Sequence, residues 1–284
     1  MSLSRAKARL LPTDREPTSP WYQDEWVTLY CADARAMPEL DDETVDLVVT
    51  SPPYWDIKNY RASGQMGLGQ SYEEYWQELT KVLAECRRVL RPGRALAMVI
   101  GTRISDGELK HIPADLIQRM PGLGFTLRKE IIWVKPKGTQ GLWQRGTTQF
   151  LRNKPYPGCL NLNIQHEFIL IFAREGEAEV DTSHRLSEEF IKEVSWSVWP
   201  LPVSDVKGHP APFPETIPAR LIELYTRPGE VVLDPFLGSG TTAVASRRAG
   251  RRCVGYDVSE QYCEAAAKRL GNVQLALAAE VRPA

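Results

Sequence analysis

With 284 residues, a formal net charge of -1 at pH 7 and 43% hydrophobic residues, the chain can bury a substantial core as one large α/β domain with an insertion or as two small domains. No run approaches the apolar length that spans a bilayer, and Arg5, Lys7 and Arg9 precede no apolar stretch, so neither a membrane span nor a secretory signal is expected and a cytoplasmic location follows. The near-neutral charge excludes a wholly basic nucleic-acid binder, and five scattered cysteines (Cys31, Cys86, Cys159, Cys253, Cys263) with no C-x-x-C pair suggest neither a disulfide framework nor a zinc site.

Residues 1–20 mix basic side chains with prolines and read as a flexible arm. Trp26 to Tyr30 is a short apolar run, predicted as a strand, with Asp33 just past its end as a candidate ligand-binding carboxylate. Val45 to Val49 forms the next strand. It stops at Thr50-Ser51-Pro52-Pro53-Tyr54-Trp55, where two prolines remove two backbone donors and fix two φ angles. The carbonyls there cannot be consumed by a continuing helix. With the Ser51 hydroxyl and two aromatic rings they can hold a flat group that carries N–H donors, and a nucleobase amino group fits that description. A plain turn followed by core aromatics is the competing reading.

A glycine-containing loop, 61–70, leads to Ser71 and Glu74, which have capping-box spacing ahead of a helix from Tyr72 to Leu90, stopped by Arg91-Pro92-Gly93. Ala95 to Ile100 is predicted as a buried strand, Ile112 to Met120 as a helix and Leu127 to Val134 as a strand. Such alternation signals right-handed βαβ units and a mostly parallel sheet covered on both faces. The stretch 136–165 is rich in Gly, Pro, Asn and Gln and too long for an ordinary connection. Lys135, Lys137, Arg145, Arg152 and Lys154 lie in or beside it with Trp143, Phe150 and Tyr156 interleaved, which suits contact with DNA phosphates and bases. His166 to Phe172 is an apolar strand that, with no helix before it, is expected to pair antiparallel with 127–134. Residues 174–208 read as irregular, and the proline-rich 209–215 introduces a helix reaching about Tyr225.

Val231 to Leu233 leads into Asp234-Pro235-Phe236-Leu237-Gly238-Ser239-Gly240-Thr241-Thr242 and then a helix, Ala243 to Ala249. This strand, glycine turn and helix lacks the lysine of a P-loop, and its Gly-x-Gly-x-x-Ala spacing is a loose dinucleotide fingerprint. Asp234 discriminates between cofactors: a carboxylate there repels a pyrophosphate but attracts an ammonium and a sulfonium, as in S-adenosylmethionine. Arg252 to Tyr256 ends a further strand in Asp257, placed to accept from two ribose hydroxyls, and Ser259 is expected to cap the helix 260–270.

These stretches together resemble the amino-group DNA methyltransferases of the beta class, in which the catalytic half precedes the cofactor half. The resemblance spans about Leu29 to Leu270 and rests on residues 50–55 and 234–242 in that order, with Ile131 to Pro136, His166-Glu167-Phe168 and His209 to Pro214 as further blocks. It implies a Rossmann-like sheet of seven strands, mostly parallel with one antiparallel strand (166–172), helices on both faces and a small inserted DNA-recognition region. On this reading 21–284 is one S-adenosylmethionine-dependent domain with a catalytic half (21–172) and a cofactor half (209–284), and 136–165 and 174–208 are recognition insertions. By the same resemblance Asp234, Pro235, Phe236, Gly238, Ser239, Gly240, Thr241 and Thr242 surround the methionine part of the cofactor, Phe213 and Pro214 close over it, Asp257 binds the ribose and Asp33 the adenine end.

The expected chemistry follows. A base inside a duplex must be flipped out, at a cost of about a few kcal/mol, before its amino nitrogen can meet a methyl donor. Tyr54 is assigned to stack on the flipped ring, Trp55 to line the pocket or hold the turn, and Ser51 Oγ with the Pro52 carbonyl to accept the two N–H groups, Pro53 keeping the turn rigid. Ser rather than Asp before Pro-Pro resembles the enzymes that act on cytosine N4; adenine N6 is the alternative, and an RNA methyltransferase or a catalytically silent DNA-binding protein lies further off. The expected partners are double-stranded DNA and, as a candidate, a restriction endonuclease acting on the same site, with monomer and homodimer both open.

Overall fold

Every residue of Val45–Thr50 is buried, and the alternation of their side chains builds two cores at once. Val48 joins a cluster with Leu96, Met98, Ile100, Leu170 and Phe172 on one face of a sheet, while Leu47 and Val49 join Ala95, Ala97, Val99, Ile169 and Ile171 on the other. Burial of every position marks a strand covered on both sides. The computed structural model describes residues 18–55, 65–105, 108–136, 156–158, 164–178, 182–204 and 213–273.

In chain order the strands are β1 (Tyr22–Gln23), β2 (Val27–Tyr30), β3 (Val45–Thr50), β4 (Leu90–Ile100), β5 (Arg103–Ser105), β6 (Glu108–Lys110), β7 (Phe125–Val134), β8 (His166–Arg174), β9 (Val198–Pro200), β10 (Val231–Asp234) and β11 (Arg252–Tyr256). The helices are α1 (Tyr72–Val89), α2 (Ile112–Arg119), α3 (Glu188–Val194), α4 (Thr216–Tyr225), α5 (Thr241–Arg248) and α6 (Glu260–Gly271). Among the described residues nine strands form one sheet in the order β1-β2-β11-β10-β3-β4-β8-β7-β9, and β5 with β6 makes a separate hairpin.

The seven central strands, from β2 across to β7 in that spatial order, are the expected sheet: β8 runs antiparallel to both β4 and β7 and the others are parallel. Two short edge strands extend it. β1 folds back antiparallel on β2, and β9 lies parallel to β7. β9 and α3 correct the reading of 174–208 as irregular. The Ser187 side chain accepts from Phe190 N to start α3, and Trp199 drops into the second-face core, with the Arg220 guanidinium 5.0 Å from its ring centroid.

Helix α1 carries the predicted capping box, the Ser71 hydroxyl accepting from Glu74 N and the Glu74 carboxylate accepting from Ser71 N. It packs on the first face with α2, while α4 covers the second. Strand β4 starts at Leu90, so Arg91-Pro92-Gly93 does not form a loop after the helix but opens the strand. The chain runs outward from β3 to β4, then returns to place β10 on the other side of β3 and continues outward to β11. The sheet therefore reverses its winding between β3 and β10, and the carboxyl ends of those two strands flank the crevice where ligands of open α/β sheets bind. Of the proposed arm, Thr18 is tied by its N–H and hydroxyl to Glu39; residues 1–17 lie outside the described residues.

Candidate active site

Two turns meet at this switch. Leu233 of β10 pairs with Val48 of β3, so Asp234 and Thr50 end neighbouring strands. The Thr50 hydroxyl donates to Asp234 Oδ1 at 2.7 Å, the Thr242 hydroxyl to Oδ2 at 2.7 Å, and Phe236 N to Oδ1 at 3.1 Å. Asp234 is 1% exposed. Burial pushes its carboxyl up to about 6, against the pull of the hydrogen bonds from Thr242, Thr50 and Phe236. Thr50 is absent from the sequence-derived site residues: a threonine ending an apolar strand carries no local signal, and its partner lies far along the chain.

After Asp234, Pro235 is buried and Phe236 packs on the first-face core. Gly238 and Gly240 both have positive φ, 53° and 80°. A Cβ on Gly240 would lie 2.9 Å from that of Ala266 on α6, so only glycine lets the two helices approach. Gly240 occupies the N-cap position of α5 without a side-chain cap bond. Asp257, directly after β11, holds the turn from the next strand, its Oδ2 accepting from Gly238 N at 2.9 Å and its Oδ1 from Ser259 N at 2.8 Å. Burial pushes this carboxyl, too, up to about 6. That second bond explains a correction: Ser259 stands at the N-cap of α6, but it serves the site through its backbone N–H and makes no side-chain cap.

Arg269 of α6 reaches back under the turn, donating from Nη1 to the Ser239 carbonyl at 2.8 Å and lying 3.3 Å from both Ser239 Oγ and Thr241 Oγ1. Burial lowers its basicity. The sequence gives no hint of this contact, because an arginine late in an amphipathic helix usually faces solvent. Asp33, expected at the adenine end, is held by Arg35, accepting from its backbone N at 2.9 Å and from its guanidinium, which also pairs with Glu78. Phe213 lies in the second-face core and the Pro214 carbonyl accepts from Ile217 N at 3.0 Å in the first turn of α4.

On the β3 side, Pro52 is buried and Ser51, Pro53, Tyr54 and Trp55 are half-buried. The Ser51 hydroxyl makes no hydrogen bond with another described residue. Trp55 Nε1 donates to the Gln70 carbonyl at 2.8 Å and its ring lies 4.9 Å from that of Tyr72, so Trp55 holds the turn against the start of α1. The Tyr54 hydroxyl donates to Glu167 Oε2 of β8 at 2.8 Å. Lys135, expected to touch DNA, pairs with the same Glu167. The other basic residues assigned to DNA, Lys137, Arg145, Arg152 and Lys154, lie outside the described residues. Among the described residues no group of three or more His, Cys, Asp or Glu side chains could hold a metal ion, and no helix is long and apolar enough to cross a membrane.

Known proteins resemble this chain in sequence and fold. The family model described as "DNA methylase" (N6_N4_Mtase) matches residues 45–268. The type II methyltransferase M.MjaI of Methanocaldococcus jannaschii is 32% identical over 267 residues, covering 80% of this chain and 86% of its own length. The DNA adenine methyltransferase YhdJ of Escherichia coli (strain K12) is 28% identical over 271 residues, covering 91% and 86%. A crystal structure of a Thermus thermophilus protein complexed with S-adenosyl-L-methionine superposes with a TM-score of 0.67 at 31% identity, covering 86% of this chain and 94% of that one. The chain belongs to the N6/N4 DNA methylase family, the amino-group DNA methyltransferases.

Proposed function

We propose that this protein transfers a methyl group from S-adenosylmethionine to the exocyclic amino group of a cytosine flipped out of double-stranded DNA, giving N4-methylcytosine at a specific site. The observation that carries the reading is the junction of the two turns at the switch: the strand end that offers Ser51 and Pro52 is hydrogen-bonded, through Thr50, to the carboxylate at the head of the glycine turn.

The residues present fit the cofactor. Two carboxylates whose charge is disfavoured by burial, Asp234 fully buried and Asp257 half-buried, would be relieved by a cation beside them, and the uncapped amino end of α5 suits a carboxylate. Asp234 already accepts three donors and keeps one lone-pair position on Oδ2, so its part is chiefly a field at short range. Asp257 keeps an acceptor position on each oxygen for the ribose hydroxyls. Ser239, Thr241 and Thr242, engaged by Arg269 and Asp234, shape the turn rather than reach out. Bound S-adenosylmethionine supplies an electrophilic methyl on a sulfonium.

On the acceptor side Tyr54 stacks on the extruded ring. Ser51 Oγ and the Pro52 carbonyl accept the two amino hydrogens, drawing a delocalised nitrogen toward tetrahedral geometry as it attacks. No cysteine stands in the turn, which agrees with direct attack by nitrogen rather than addition to ring carbon. The neutral Ser51 supports cytosine, since its pocket must also tolerate the carbonyl edge of that base, which an anion would repel. The similarity to a DNA adenine methyltransferase supports adenine N6 as the second reading. The description of M.MjaI as a type II methyltransferase supports a role beside a restriction endonuclease that acts on the same site. Methyl transfer from labelled S-adenosylmethionine to duplex DNA, with RNA as the comparison, tests the acceptor: incorporation into DNA is expected, and label in RNA alone would overturn the reading.

A further inference from the structure

We infer that Glu167 is a positioning residue for methyl transfer, fixing the plane of the Tyr54 ring so that it presents its face to the extruded base. This rests on the stacking role proposed for Tyr54.

Three features converge on Glu167. Tyr54 follows two prolines on a turn, so its ring needs an anchor beyond its own backbone, and the phenol finds a carboxylate 113 residues later in sequence, donating to Glu167 Oε2 at 2.8 Å. A bond from a neutral hydroxyl to a charged acceptor is stronger and more directional than one between neutral groups. The second feature is Lys135, whose ammonium pairs with Oε1 of the same carboxylate and lies 4.9 Å from the Trp133 ring centroid. In the β7 and β8 register Trp133 faces Glu167, so the ammonium is steered onto the carboxylate by the strand pairing itself. Each oxygen of the carboxylate is thereby committed, one to the cation and one to the phenol.

The third feature is Gly101, which directly follows β4. A Cβ there would lie 3.3 Å from Glu167 Cγ and 3.4 Å from Tyr54 Cε2. The missing side chain is the space across which tyrosine and glutamate meet. Strands β3, β4, β8 and β7 therefore deliver, in spatial order, the ring, the gap, the acceptor and the cation to one sheet edge. A glutamate serving only to bind DNA would have no reason to be neutralised by Lys135 and aimed at Tyr54.

The test is a double-variant cycle of Tyr54→Phe with Glu167→Ala, reading kcat, the KM for duplex DNA and cofactor affinity. Each single change is expected to lower kcat about tenfold, the scale of one hydrogen bond to a charged group, with cofactor affinity unchanged. The double variant is expected to lose no more than either single, because both remove the same bond. Glu167→Gln, which keeps an acceptor oxygen, should restore most of the rate. Losses that multiply in the double variant, or a Glu167→Gln variant as slow as Glu167→Ala, would overturn the proposal. Tyr54→Phe and Glu167→Gln leave the packing nearly intact, so the comparison stands even where Glu167→Ala fails to fold. Tyr54→Ala separates the two levels: unchanged turnover there would overturn the stacking role itself, whereas its loss together with a wild-type rate in Tyr54→Phe would overturn only the part assigned to Glu167.

Discussion

The Thr50 hydroxyl donates to the Asp234 carboxylate at 2.7 Å across 184 residues of sequence. This one bond ties the end of the strand that carries the proposed amino-group acceptors to the head of the turn proposed to face the cofactor. It makes the distance between the two proposed sites a property of the rigid sheet rather than of a loop.

Thr50→Val keeps the shape and removes that donor from a buried carboxylate. A bond to a charged group contributes about 1.5–3 kcal/mol, and at 1% exposure little is lost to screening. Denaturant unfolding is expected to show a loss in that range, together with weaker cofactor binding. A variant as stable as the parent would mean that the bond is replaced by water.

The two raised carboxyls make opposite demands on pH. Asp234 and Asp257 titrate near 6 when folded against an ordinary value of 3.8. Between about pH 4 and 6 the folded state therefore holds more protons than the unfolded chain, and stability from these two groups falls as pH rises through that window. Binding of a cationic cofactor should do the reverse, weakening as pH falls through 6 and the charges vanish. Isothermal titration across pH 5 to 8 is expected to show this, and Asp234→Asn to leave only the part due to Asp257; a profile indifferent to that substitution would remove Asp234 from the cofactor's field.

Arg269 pins the glycine turn from below through Ser239 and Thr241. Arg269→Met keeps the aliphatic stem and loses the donors. Cofactor affinity is expected to fall about tenfold, corresponding to the loss of one or two hydrogen bonds, while the melting temperature changes little. Unaltered affinity would show that the turn holds its shape through Asp257 and Gly240 alone.

Ser51→Ala should remove most methyl transfer and leave cofactor affinity intact, because its hydroxyl is committed to no described neighbour. Undiminished turnover would take Ser51 out of the chemistry and with it the argument for cytosine.

Much of the sheet was legible because strands buried on both faces announce themselves as apolar runs, as in β3 and β10, and because α1 opens on a complete capping box. What sequence could not show were contacts whose signal is divided between distant elements. Thr50, Glu167 and Arg269 each look ordinary in their own segments, and each joins a candidate site residue of another segment, Asp234, Tyr54 and Ser239 respectively. Asp33 and Lys135 show the converse: each looked available to a ligand, and the fold supplies each with a charged neighbour. The short strands β1 and β9 escaped notice because two or three residues are too few to show a period.

The most direct measurement is to incubate the protein with labelled S-adenosylmethionine and mixed-sequence duplex DNA, digest to nucleosides and identify the labelled species. N4-methylcytosine is the predicted product; label on adenine N6 would contradict the assignment drawn from Ser51, and label on cytosine C5 would contradict the amino-group mechanism as a whole.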